Sequence, residues 1–344
     1  MGRFRRLVGQ TAGIAMSDTP RGPVFVAGIE RTGTSLLYAL LASHPRLAMT
    51  RRTNLWRYFY GQYGDLAQPE NLERCLDVMM RYKRLLKLSP DRSPIEREFR
   101  QGEPTYARLF ELVERQYAER IGKPRWGDKS LHTERYAEPI FTGYPGARIL
   151  HMMRDPRDRY ASVQTRWERR LGGTGAGMAE WLSSSRFASV NADRYPDRYR
   201  VIRYEDLAAR PEATMRDVCE FIDEPYDAAM LGMEGASSFR DQGSNSSYGA
   251  RPAAAISTDS IGRYREVLSA AQIKFIESVA HKAMQRFEYE PSAPHLSFGE
   301  QVLFSGGVLP VELARMAGSR ARYEWRNRRG RTVPEYRLVP SERV

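Results

Sequence analysis

Short apolar runs separated by helical segments are the feature that most restricts how this chain can fold. Val24-Phe25-Val26-Ala27 stops at Gly28, and after a turn residues 35–41 read as the start of a helix. The same order recurs three times. Residues 125–129 form a short strand and turn followed by a helix near 131–142. A strand over 148–153 ends at Arg154-Asp155-Pro156 and precedes a helix near 157–171. A strand over 199–204 precedes a helix over 211–222. Strands joined through helices of this length require right-handed crossovers and a parallel sheet. The expected fold is therefore α/β, a parallel sheet flanked by helices.

The remaining segments fill in the frame. Residues 66–88 read as a basic amphipathic helix, with Leu72, Leu76, Met79, Met80, Leu85 and Leu86 at helical spacing. Residues 105–121 read as a second helix, with Gly122 as its stop. The glycines from Gly172 to Gly177 predict a flexible break before a helix at 178–193. Residues 232–260, rich in Gly, Ser and Ala, predict a mobile loop. A helix at 269–287 closes the body. The expected division is a disordered basic leader over 1–22, a folded domain over 23–291 and an arginine-rich extension over 292–344.

Composition then narrows the classes. No stretch approaches the ~20 apolar residues of a spanning helix. The first twenty residues lack the uninterrupted apolar region of a secretion signal, and Met16 is an alternative start. Two cysteines, Cys75 and Cys219, cannot build a disulfide framework, so a reducing, cytoplasmic setting is expected. The net charge of +12 suggests an anionic partner. Much of it sits at the ends, in Arg3, Arg5, Arg6 and Arg21 and in the arginines of 315–344, so individual cations carry the argument.

Gly28-Ile29-Glu30-Arg31-Thr32-Gly33-Thr34-Ser35 nearly fits the phosphate-loop pattern G-x-x-x-x-G-K-S/T, in the strand–turn–helix setting that pattern needs. Consecutive N–H groups and a helix N-terminus cradle an anion there. Thr34 stands where a nucleoside triphosphatase keeps its lysine, and loss of that lysine argues against ATP or GTP hydrolysis. A phosphosulfate donor needs less charge neutralisation at the migrating group. Its demand is for cations at the departing bridging oxygen.

Residues 23–45 resemble the 5′-phosphosulfate loop of sulfotransferases that use 3′-phosphoadenosine 5′-phosphosulfate (PAPS). Arg31-Thr32-Gly33-Thr34-Ser35 stands where most members have R-S-G-T-T. Residues 154–162, from Arg154-Asp155-Pro156 to Ser162, are similar to the family's 3′-phosphate motif of a strand-end arginine and a serine eight residues on. Arg166 lies one turn further, at a position the protein-tyrosine branch also uses. Trp126-Gly127-Asp128-Lys129 resembles the W-x-x-K segment of bacterial and Golgi-type members. Tyr204-Glu205-Asp206-Leu207 resembles the family's Y-E-D-L strand end, and 257–264 the late loop that folds over the cofactor. The resemblance implies a P-loop NTPase-like sheet. It also implies a 5′-phosphosulfate site at Arg31, Thr32, Gly33, Thr34 and Ser35, and a 3′-phosphate site at Arg154, Ser162 and Arg166. Tyr204, Ser257 and Arg263 would lie beside the nucleotide, Lys129 would meet the leaving oxygen, and no metal is needed.

The pattern departs at the base. The protein-tyrosine branch has a glutamate shortly after the His-Pro that ends the first helix, and here Arg51 and Arg52 follow instead. His132, Glu103 and Glu30 are the alternatives for a proton acceptor. Trp56, Tyr58, Phe59 and Tyr60 serve equally as an acceptor platform or as core. The implied reaction is sulfuryl transfer to a hydroxyl of a carbohydrate, glycolipid or small metabolite, with no nucleic-acid partner. Its rivals are a P-loop kinase with a displaced lysine and a nucleic-acid-binding protein using the basic tails. Acceptor identity and oligomeric state have no signature in the sequence.

Overall fold

A computed structural model describes residues 21–166, 172–241, 256–328, 330 and 332–340. Residues 1–20 of the expected leader, the end of the 157–171 helix and residues 242–255 of the expected 232–260 loop lie outside the described residues; Arg21 pairs with Asp223, and Ser237–Asp241 is helical rather than loop. Five strands form the sheet: β1 Val24–Ala27, β2 Leu47–Arg51, β3 Arg125–Lys129, β4 Arg148–Met153 and β5 Tyr199–Arg203. Their order is β2-β3-β1-β4-β5 and every pair is parallel. The chain leaves β1 toward one side and later crosses to the other. The carboxyl ends of β1, β3 and β4 thus border the crevice where open α/β sheets bind ligands.

Alternation along the strands divides the core between two faces. Phe25, Ala27, Ala48, Trp126 and Ile149 join Leu109, Phe110, Leu112 and Val113 of the helix Tyr106–Arg120. Val24, Val26, Leu47, Leu150 and Met152 join the helices Thr34–Ala42 and Pro211–Phe221. Trp56, Tyr58 and Phe59 are buried in the first of these cores, with Trp56 edge-on to Phe110 and Tyr144. Their packing role is thereby accounted for.

Most expected elements are present with shifted ends. The 66–88 helix is Pro69–Arg81, and the 105–121 helix is Tyr106–Arg120, capped by the Thr105 side chain. The closing helix is Ala270–Arg286, begun by a capping box of Ser269 and Gln272. Near 131–142 the chain forms a 3-10 turn, Thr133–Tyr136, and then the helix Ala137–Gly143. The strand β2 has no counterpart in the sequence reading: five residues at a sheet edge carry too little periodicity.

The glycine break at 172–177 requires correction. Residues from Gly173 onward belong to one long helix, Gly173–Arg194. The reason is close approach. The helix Leu309–Arg328 crosses here, and a Cβ on Gly175 would collide with the Glu312 carbonyl oxygen. Glu312 also accepts the Gly175 N–H, with a donor–acceptor distance of 2.6 Å, and pairs with Arg315. Glycine is used there for proximity, not for flexibility.

Residues 292–340 thus lie against the body along much of their length. Beyond the Leu309–Arg328 helix, Val333 is buried in the core, and Tyr82 bridges to Leu338. The Lys83 N–H donates to the Arg337 carbonyl at 3.0 Å, and Arg337 donates to the Tyr58 hydroxyl at 3.0 Å. Gly175→Ala should lower unfolding stability by about 1–3 kcal/mol through overpacking. Gly306→Ala, where an added Cβ meets open space, should change it by no more than about 0.5 kcal/mol. Urea unfolding of both variants checks the contrast.

Candidate active site

The loop between β1 and the Thr34–Ala42 helix turns through three left-handed residues: Gly28 at φ 125°, Arg31 at φ 70° and Gly33 at φ 94°. For Arg31 this conformation costs roughly 1–3 kcal/mol, so the surroundings must hold it. They do. The Thr32 hydroxyl donates to the Ile29 carbonyl at 2.8 Å, and the Gly28 N–H donates to Glu134 Oε2 at 3.1 Å. The His132 N–H donates to the Gly28 carbonyl at 3.1 Å, and Arg159 Nε donates to the Glu30 carbonyl at 3.1 Å. Gly33 caps the helix that Thr34 and Ser35 begin, leaving first-turn N–H groups without intrahelical acceptors.

The second motif reaches this loop directly. Arg31 Nε donates to Ser162 Oγ at 2.7 Å, so the two segments found separately in sequence share a hydrogen bond. Arg154 follows β4 and is buried. It donates to the Arg31 carbonyl at 3.3 Å and to the Ser260 carbonyl at 2.6 Å, with its guanidinium 4.4 Å from the centre of the Tyr204 ring. Its Nε is buried and has no hydrogen-bond partner among the described residues. A buried donor without an acceptor is costly, and an anion at this point would satisfy it. Tyr204 donates to or accepts from Ser260 Oγ at 2.6 Å, and its ring closes on Gly33, where a Cβ would stand 2.5 Å from the tyrosine ring.

The late loop is pinned by a residue the sequence reading passed over. Asp158 accepts from the Gly262 N–H at 2.7 Å and the Tyr264 N–H at 2.9 Å. Ser257, buried on this loop, accepts the Asp259 N–H at 3.1 Å, and half-buried Arg263 precedes the short helix Tyr264–Val267. Arg166 behaves differently. It ends the helix Pro156–Arg166 exposed, and among the described residues no contact joins it to the others. Glu103 is likewise exposed and joined to none of them.

Lys129 closes β3 almost fully buried, and its ammonium makes no hydrogen bond or ion pair among the described residues. Burial, with Arg52 and Arg51 nearby, lowers its pKa to about 7 against the opposing pull of Asp128 and Glu30. His132 follows in a left-handed conformation, φ 67°. Burial lowers its pKa to about 3, so the ring is neutral near pH 7. Its Nε2 stands 3.7 Å from Glu180 Oε1, and Glu180 in turn pairs with Arg159. Glu30, exposed on the loop, has no hydrogen bond or ion pair through its carboxylate among the described residues.

Three residues outside the sequence reading support the site: Glu134 behind the loop, Asp158 under the late loop and Glu180 beside His132. Asp158 was open to inference, since it shares the helix face that follows Arg154. Glu134 and Glu180 become visible only when the chain is folded. The set fits a ligand with separated anionic groups: an N–H cradle at 31–35, a buried arginine donor and a buried lysine without a partner. Among the described residues no group of three or more His, Cys, Asp or Glu is arranged to hold a metal ion.

Geometry and comparison agree on the class. The chain belongs to the sulfotransferase family, whose model matches residues 23–228. It is 24% identical over 219 residues to a protein-tyrosine sulfotransferase of Drosophila melanogaster, covering 61% of this chain and 40% of that protein. It is 24% identical over 220 residues to protein-tyrosine sulfotransferase A of Caenorhabditis elegans, covering 61% and 52%. The chain thus spans about half or less of the curated relatives' length. In fold it is similar to the sulfotransferase domain of the Synechococcus PCC 7002 olefin synthase, with TM-score 0.52, 18% identity and coverage of 80% and 98%. It is also similar to the sulfotransferase domain of the curacin biosynthetic pathway, with TM-score 0.51, 15% identity and coverage of 78% and 98%.

Glu134→Ala leaves the buried Gly28 N–H without its acceptor and should cost about 1–3 kcal/mol. Glu134→Gln, which retains a carbonyl oxygen there, should cost less. Chemical unfolding of the pair separates the two outcomes.

Proposed function

We propose that this protein transfers a sulfuryl group from PAPS to a hydroxyl acceptor. One observation carries the reading: the Arg31–Ser162 hydrogen bond and the Arg154–Arg31 contact bring the two anion motifs into one continuous surface. Arg31, Thr32, Gly33, Thr34 and Ser35 would hold the 5′-phosphosulfate end. Arg154 and Ser162 would hold the 3′-phosphate, with Tyr204, Ser257 and Arg263 along the nucleotide. Arg166 belongs to the proposal only as an outer cation. When bound, the nucleotide supplies a sulfuryl group already activated by its phosphate link.

The chain supplies position and charge. Lys129, protonated, faces the negative charge that develops on the departing oxygen. His132 is neutral, which is the form a general base needs, and its Glu180 neighbour favours the imidazolium that forms on proton transfer. No side chain of this scheme requires a metal. The acceptor belongs to the small-molecule or glycan class, with Arg51 and Arg52 near its entry. Residues 23–291 form the catalytic body in this reading. The buried free cysteines Cys75 and Cys219 support a reducing, cytoplasmic setting. No helix among the described residues is long and apolar enough to cross a membrane.

Calorimetry with 3′,5′-diphosphoadenosine tests the reading. Arg154→Ala should weaken binding by about 1.5–3 kcal/mol, roughly tenfold to a hundredfold. Absence of binding by the wild type, or unchanged binding by this variant, refutes it.

A pH series isolates Lys129. Its pKa is depressed to about 7, so the ammonium is charged below that value and neutral above it. The affinity advantage of the wild type over Lys129→Met should therefore be largest at pH 6 and shrink as pH rises toward 8. An advantage that grows with pH contradicts the assignment.

A further inference from the structure

The helix Leu309–Arg328 lies beyond the matched span of 23–228, yet it reaches the candidate active site. Leu309, Glu312, Met316, Ser319 and Tyr323 recur at three- and four-residue intervals and are the less exposed positions among residues 309–326. That spacing defines one helical face, turned toward the helix Gly173–Arg194. At its far end the Arg135 guanidinium stands 4.2 Å from the centre of the Tyr323 ring and 4.8 Å from that of Phe187. Arg135 also donates to Ser183 Oγ at 2.8 Å, so the cation is tied to the neighbouring helix. A tyrosine ring held by such a cation keeps its hydroxyl in a defined place. That hydroxyl is 3.3 Å from His132 Nδ1.

Two carboxylates stand beside the imidazole, one facing each ring nitrogen. Glu180 Oε1 lies 3.7 Å from Nε2. Burial would raise its pKa, but Arg159 and His132 outweigh burial and lower it, so it is ionised. Glu134 Oε1 lies 3.9 Å from Nδ1, and burial raises its pKa toward the neutral form. An ionised carboxylate favours a proton on the nitrogen that faces it. Nε2 then carries the hydrogen, and the Nδ1 lone pair is left to accept the tyrosine hydroxyl.

We propose that Tyr323 is a positioning residue for His132: its hydroxyl donates to Nδ1, fixes the Nε2–H tautomer and makes the C-terminal helix a wall of the acceptor side. This rests on the reading of His132 as the proton acceptor. An acceptor hydroxyl that gives its proton to the imidazole does so at Nδ1, taking the place there of the Tyr323 hydroxyl, which keeps that nitrogen unprotonated until the acceptor arrives. The arginine-rich extension thereby becomes part of the catalytic unit.

Long-range ¹H–¹⁵N spectra of the full chain with labelled histidine test the proposal, with His132→Gln used to assign the His132 signals among the five histidines. In the wild type, Nε2 of His132 should carry the proton and Nδ1 should show a hydrogen-bonded acceptor shift. Tyr323→Phe keeps the ring against Arg135 and should move the Nδ1 resonance while the urea midpoint stays near that of the wild type. A proton on Nδ1 in the wild type, or an unmoved Nδ1 resonance in Tyr323→Phe, overturns the assignment. Neither readout needs nucleotide or turnover. Failure here is therefore separate from a failure to bind 3′,5′-diphosphoadenosine.

Discussion

The buried guanidinium of Arg154 is the interaction on which the candidate site depends. It starts at the end of β4, reaches the Arg31 carbonyl on the phosphate loop and the Ser260 carbonyl on the late loop, and lies over Tyr204. Three segments far apart in sequence therefore meet at one cation. A charge this deeply buried is stable only when its donors are matched. Here the carbonyls satisfy part of that demand and leave Nε turned to no protein acceptor among the described residues. The guanidinium thus keeps one unmatched donor in the folded protein, which suits it to receive an anion.

Around that cation, acids serve as braces. Glu134 holds the Gly28 N–H, Asp158 holds two N–H groups of the late loop, and Glu205 accepts the Asp155 N–H at 3.0 Å. Each carboxylate fixes backbone, so the loops keep their shape before any ligand arrives. Preorganisation of this kind reduces the ordering cost of binding. It also explains how a chain of strong positive charge keeps several carboxylates near an anion site: they engage N–H groups and leave the arginines for the ligand.

The sequence made the sheet, the phosphate loop and the Arg154–Ser162 segment legible, because each rests on local chemistry. Apolar runs mark strands, glycines mark the loop, and an arginine at a strand end faces the crevice. Other features were hidden for physical reasons. The strand β2 owes its state to pairing with β3, a long-range effect absent from its own five residues. The glycines near 175 looked like a hinge, since composition does not distinguish flexibility from close packing. Glu134, Glu180 and Tyr323 gain meaning from partners that only the fold brings to them, Ser184 for Glu134, Arg159 for Glu180 and His132 for Tyr323.

The left-handed turn at Arg31 has a thermodynamic consequence. Its side chain meets Ser162 and its carbonyl meets Arg154, so one residue belongs to both ends of the proposed nucleotide site. A phosphate that draws Arg31 closer at one end therefore acts on the same residue at the other. The two halves of a doubly phosphorylated ligand would then bind with positive cooperativity, each fragment alone falling short of its share of the whole.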